Sequence, residues 1–61
     1  PLSAAGSLAE RLEAVEKSIV ERELRDRDFR MTETARALGL ERSHLYKKCQ
    51  QLGIELPRRR I

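Results

Sequence analysis

The sequence predicts an all-α fold, a long N-terminal dimerisation helix followed by a helix-turn-helix, with two copies paired as a homodimer. Three observations carry that expectation. Residues 8 to 26 contain neither Gly nor Pro and are dominated by Glu, Leu, Ala and Arg, all good helix formers. Residues 32 to 52, TETARALGLERSHLYKKCQQL, place short apolar stripes on either side of Gly39, as two helices joined by a tight turn require. The apolar residues of the first helix divide into two sets, and the rest of so short a chain can cover only one of them.

The first helix is expected over residues 7 to 26. Ser7 followed by Glu10 fits a capping box: the hydroxyl accepts from a free first-turn amide while the carboxylate reaches back to the Ser7 amide. Glu13 with Lys17 and Glu21 with Arg25 stand four apart in the favourable order. Leu8, Leu12, Val15 and Ile19 recur at 4-3-4 spacing, the seam of a coiled coil, and are the expected dimer contacts. Val20 and Leu24 drift to another face, where with Phe29 and Met31 they can cover the C-terminal half. Burying four seam side chains at about 1.5 to 3 kcal/mol apiece, before entropic costs, compares with the stability of a small domain. The competing reading of the seam is a core face covered by a segment N-terminal to the chain.

In the helix-turn-helix, Ala35 is small where two backbones must approach, and Gly39 supplies a positive φ without a Cβ. Leu38, Leu40 and Leu45 fill the wedge. On a helix over residues 42 to 52, Leu45, Cys49 and Leu52 point inward, and Ser43, Lys47 and Gln50 point outward with His44, Tyr46 and Gln51 at the flanks. A donor-rich outer strip on the second helix points to DNA. Arg42, at the helix start, can donate to guanine O6 and N7, so the expected base readers are Arg42, His44 and Lys47. Ser43 and Tyr46 suit phosphates or a single base-edge hydrogen bond. Lys48 lies nearer the core side, from which it either reaches a phosphate or simply extends its stem along the surface. Thr32, which opens the motif, completes the contact set on the two helices. Glu41 costs affinity beside phosphates unless it meets a cytosine amino group. Cys49 reads as a small core hydrophobe.

Gly53 then stops the helix, Ile54 and Leu56 can fold back, and Pro57 prevents continuation. Residues 53 to 61 make a C-terminal basic tail whose Arg58, Arg59 and Arg60 either meet phosphates or the minor groove or remain solvated.

The 61 residues form one domain, and a chain of this size buries only about 60% of its unfolded surface. Disulfides cannot supplement that core, because Cys49 is the only cysteine, and no paired Cys/His spacing offers a structural zinc. Oligomerisation remains. With 38% charged residues, two aromatics and no apolar run near the ~18 residues that span a bilayer, no membrane association is expected. Nothing resembles a secretory leader, so the expected setting is the reducing cytoplasm. The opening Pro1 suggests one module of a longer protein. Residues 1 to 26 carry four basic and six acidic side chains and residues 27 to 61 carry nine and four, giving halves of −2 and +5. Such asymmetry fits one half built for protein contact and another for a polyanion. His44 has no second ligand or acid/base partner at a suitable spacing, so neither metal nor catalysis is expected, and no cofactor.

The pattern TETARALGLERSHLYKKCQQLGI resembles the C-terminal DNA-binding domains of bacterial enhancer-binding proteins of the nitrogen regulatory protein C type, which share the Fis-type helix-turn-helix. The likeness covers most of the chain. It rests on the A-R-x-L-G-[LIW] core at Ala35 to Leu40, the R-x-x-L-x-[RK]-K run at Arg42 to Lys48 and the closing L-G-I at Leu52 to Ile54. The resemblance implies a dimer held by the long helices, each subunit placing its second motif helix in successive major grooves of a palindromic site. It also implies a parent response regulator of a two-component system, with an ATPase module that activates sigma-54 RNA polymerase; no Gly-rich phosphate loop is present here. By the same resemblance Arg42 and Lys47 match base-approaching positions and Lys48 a phosphate-facing one, while His44 and Tyr46 depart from the usual small polar and basic residues. The expected function is sequence-specific binding of double-stranded DNA. The alternatives are a nucleoid-type architectural protein that bends DNA, or a helical protein-interaction module whose basic half docks an acidic protein.

Overall fold

Ser7 Oγ accepts from the Glu10 amide at 3.2 Å and Glu10 Oε1 accepts from the Ser7 amide at 2.9 Å, so the expected capping box starts the first helix. The structure, a computed structural model, describes residues 6–57; Arg58, Arg59 and Arg60 lie outside the described residues. Three helices follow in order: α1 (Leu8–Asp26), α2 (Met31–Leu38) and α3 (Arg42–Leu52). No strand occurs among the described residues.

All three helices end in one way. The amides of Phe29, Leu40 and Ile54 donate to the carbonyls of Leu24, Ala35 and Cys49 at 2.7, 2.8 and 2.9 Å. One residue earlier, Asp28, Gly39 and Gly53 take left-handed φ values of 56°, 72° and 74° and donate to Arg25, Arg36 and Gln50. This paired closure satisfies two terminal carbonyls and turns the chain sharply. In each case the long bond joins a buried residue to an apolar one that folds back on it. Glycine meets the left-handed requirement at Gly39 and Gly53. At α1 the requirement falls on Asp28, whose short polar side chain tolerates it better than most. Phe29 follows at φ 60°, a strained value for an aromatic residue, held by packing of its ring against the core.

The core joins Val20 and Leu24 of α1 to Ala35 of α2, Leu45, Cys49 and Leu52 of α3, and Ile54 beyond it. Phe29, Met31, Leu38, Leu40 and Leu56 pack around the edge. The division of apolar residues on α1 therefore holds: Val20 and Leu24 are buried, whereas Leu8, Leu12, Val15 and Ile19 remain 72%, 55%, 51% and 49% exposed. Ile54 and Leu56 fold back as the sequence suggested. Thr34 was not anticipated. It is fully buried and donates through Oγ1 to the Arg30 carbonyl at 2.8 Å, which satisfies its hydroxyl inside the wedge.

The expected Glu13–Lys17 and Glu21–Arg25 ion pairs do not form. Among the described residues the ion pairs are Glu23–Arg27, Arg30–Glu33 and Glu16–Lys48. Glu13 instead accepts from Gln51 Nε2 at 3.4 Å. The last two contacts link position 13 to 51 and 16 to 48, so α1 and α3 run antiparallel where they touch.

Candidate nucleic-acid interface

The inner stripe of α3 decides its outer face. Leu45, Cys49 and Leu52 are buried, so Ser43, Lys47 and Gln50 are left exposed on the opposite side, as the helical period requires, with Tyr46 exposed at the flank. Arg42, three residues before Leu45, is exposed because it opens the helix, beyond the end of the buried stripe. Burial also pushes the Cys49 thiol above its ordinary pKa of 9.0, so it stays protonated and poorly nucleophilic at neutral pH. Arg42 has no ion-pair partner among the described residues, nor does Lys47. The Arg42 guanidinium lies over the Tyr46 ring, 5.5 Å from its centre.

Thr32 is exposed in the first turn of α2 and shares a shallow cleft with Arg42, Tyr46, Phe29, Met31, Leu56 and Pro57. Both helices that meet near this cleft lack a side-chain cap at the N-terminus. The first-turn amides of α2 and α3 therefore keep the partial positive charge of an uncapped helix end beside Thr32 and Arg42. Thr32, Arg42, Ser43, Tyr46 and Lys47 thus combine hydroxyls, two cations and free amides on one side of the molecule, an arrangement suited to a polyanion.

The other candidates lie elsewhere. His44 is exposed but turns toward the α1 side, bordering a hollow with Glu16, Ile19, Val20, Leu38, Leu40 and Lys48. Lys48 is half-buried, with Nζ 3.5 Å from Glu16 Oε2. Gln51, assigned to the flank of the outer face, reaches Glu13 on α1. Sequence reasoning missed these two links, although Glu13 and Glu16 repeat at a three-residue interval that Gln51 and Lys48 match. It also missed the Arg42–Tyr46 stack, whose signal was the four-residue spacing of a cation and an aromatic ring on one helix face. Among the described residues no group of His, Cys, Asp and Glu could hold a metal ion, and no helix is long and apolar enough to cross a membrane.

A family model described as bacterial regulatory protein, Fis family, matches residues 11–55. No curated protein and no solved structure matches the chain. The matched stretch takes in α1 after its first turn, all of α2 and α3, and the return through Ile54 that closes the core. With most of its length so matched, over the same elements that build the wedge and its exposed cationic face, the chain belongs to the Fis family of bacterial regulatory proteins and is a helix-turn-helix DNA-binding domain of that family.

Proposed function

We propose that the chain binds a palindromic DNA site sequence-specifically as a dimer, each subunit laying α3 in the major groove, and that it is the DNA-binding module of a bacterial transcriptional regulator. The observation that carries this reading is the position of Arg42 and Lys47. Lys47 is exposed opposite the buried stripe of α3, Arg42 is exposed at the helix start, and no acidic side chain among the described residues is paired with either. Arg42 and Lys47 read base edges, and His44 joins them if the groove wall reaches the α1 side. Ser43, Tyr46 and Thr32 serve phosphates and single base edges. Lys48 reaches a phosphate only by leaving Glu16. Pro57 lines the cleft containing Thr32 and Arg42, and Arg58, Arg59 and Arg60, which follow it in the sequence, supply further phosphate contacts.

The dimer reading rests on the uncovered seam of α1. Its four side chains are 49–72% exposed, so covering them contributes roughly 1 kcal/mol each. Two subunits together gain ~8 kcal/mol, which is within the range that association itself costs. The seam alone therefore supports a weak dimer, and two half-sites on one duplex reinforce it. Its geometry favours an antiparallel pair. Val20 and Leu24, the α1 residues of the core, lie on average about eight residues beyond the seam midpoint, or ~13 Å along the helix. Antiparallel pairing through that midpoint separates the two cores by ~26 Å, nearer to the ~34 Å between successive major grooves than a parallel pair comes. Parallel pairing leaves them about 10 Å apart, as neighbouring helices are.

The likeness of the Ala35 to Ile54 pattern to activators of sigma-54 RNA polymerase supports that polymerase as the downstream partner, and a two-component response regulator as the parent. Footprinting with this chain tests the DNA reading directly: a protected, symmetric site with half-sites about one helical turn apart is expected. Competition with random DNA at physiological salt should favour that site by ~10³ or more. Equal protection of all sequences would point to the architectural role, and no protection would leave a protein-interaction module.

A further inference from the structure

Arg42 opens α3, and Tyr46 stands one turn later on the same side. Side chains on a helix lean toward its N-terminus, so an aromatic ring at one position lies beneath the residue four before it. The guanidinium carbon is 5.5 Å from the ring centre, within the reach of a cation–π contact. This contact uses the flat face of the guanidinium. The five N–H donors lie in the plane and point outward from its edge, and no carboxylate among the described residues occupies them. Stacking on Tyr46 and hydrogen bonding to a base are therefore compatible, and the first can orient the group for the second. Tyr46 itself is partly held, since it borders clefts rimmed by Phe29, Met31, Ile54 and Leu56.

We propose that Tyr46 is a specificity-determining residue that acts through Arg42: its ring holds the guanidinium with the donor edge aimed at O6 and N7 of one guanine in each half-site. The proposal rests on the reading of α3 as the element that meets DNA. Without the ring, the flexible Arg42 stem lets its charge swing to the nearest phosphate, where it supplies attraction but no sequence information. Loss of the ring should thus remove base discrimination and leave non-specific affinity in place.

The test measures binding of wild type, Tyr46→Phe, Tyr46→Leu and Arg42→Ala to the footprinted site and to duplexes with each base pair replaced in turn. Wild type should prefer guanine at one position per half-site by roughly ten- to hundredfold. Tyr46→Phe should keep that preference. Tyr46→Leu should lose most of it at the same base pair that Arg42→Ala makes indifferent, with affinity for random DNA and a salt slope equal to those of Tyr46→Phe, which lacks the same hydroxyl but keeps the ring. Tyr46 is 42% exposed, so the Leu variant should melt where wild type does; Tyr46→Gln provides the same comparison if it does not. A Leu variant that still demands guanine overturns the proposal. So does a Phe variant as indifferent as the Leu variant, since the hydroxyl would then be the working group. Wild type binding every duplex alike would instead remove the regulator reading, and this inference with it.

Discussion

Asp28, Gly39 and Gly53 make the same backbone closure at the ends of three helices, but only at α1 does a second left-handed residue, Phe29, follow. A Cβ added at Gly39 meets nothing within 4 Å, so Gly39→Ala costs only the left-handed backbone conformation, about 1 kcal/mol. For a domain of this size the thermal midpoint should fall by ~4–8 °C. Asp28→Gly relieves the same strain and should raise the midpoint, by less, because an aspartate already tolerates that conformation. Calorimetry of the two variants against wild type checks both signs. Cys49 offers a pH test. Its thiol pKa is raised in the folded state by burial, so the stability it contributes is complete below the unfolded value near 9.0 and is lost as pH rises beyond it. Wild type should therefore lose more stability between neutral pH and pH 10 than Cys49→Ala, measured by urea midpoints; equal losses would show that the buried thiol is not responsible.

At the scale of elements, α1 serves two surfaces. Its C-terminal residues Val20 and Leu24 belong to the core, its seam is open, and Glu13 and Glu16 hold α3 between the two. Val15→Asp leaves the core untouched, yet places a charge at the middle of the proposed dimer contact. Sedimentation at several hundred micromolar should show dimer for wild type and monomer for the variant, and binding to a palindrome should lose both affinity and steepness. Wild type that stays monomeric under those conditions removes the seam's proposed role. The two adjacent lysines of α3 divide in the same manner. Lys47 is exposed and unpaired among the described residues, and Lys48 is paired with Glu16. Lys47→Ala should lower the salt slope of DNA binding by about one, and Lys48→Ala should change it little.

Across the whole molecule, the fold converts a charge imbalance along the chain into one in space. The acidic N-terminal half forms α1, and the basic half supplies the cationic face of α3 and continues past Pro57 into Arg58, Arg59 and Arg60. An elongated shape, 43 × 24 × 19 Å, keeps the seam and the cationic face accessible at once. Removing residues 58 to 60 should weaken binding to all duplexes alike and reduce the salt slope, leaving base preference unchanged. A salt titration with an unaltered slope would assign the tail no phosphate contact.

Local signals made much of this protein legible. The Ser7–Glu10 box, the Gly39 and Gly53 stops, and the inward stripe Leu45–Cys49–Leu52 each act within one or two helical turns, so the sequence alone determined where α1 begins, where α2 and α3 end, which face of α3 is buried and which is left to solvent. The Asp28 closure was hidden because aspartate adopts left-handed geometry only when the packing of a residue such as Phe29 demands it. Thr34 was missed because its hydroxyl is satisfied by a backbone carbonyl of its own helix. Tertiary structure alone decided that Glu16 takes Lys48, that Glu13 takes Gln51, and that His44 turns toward α1. Those contacts join residues more than 20 positions apart, and they depend on how helices cross, which no short-range pattern in a chain specifies.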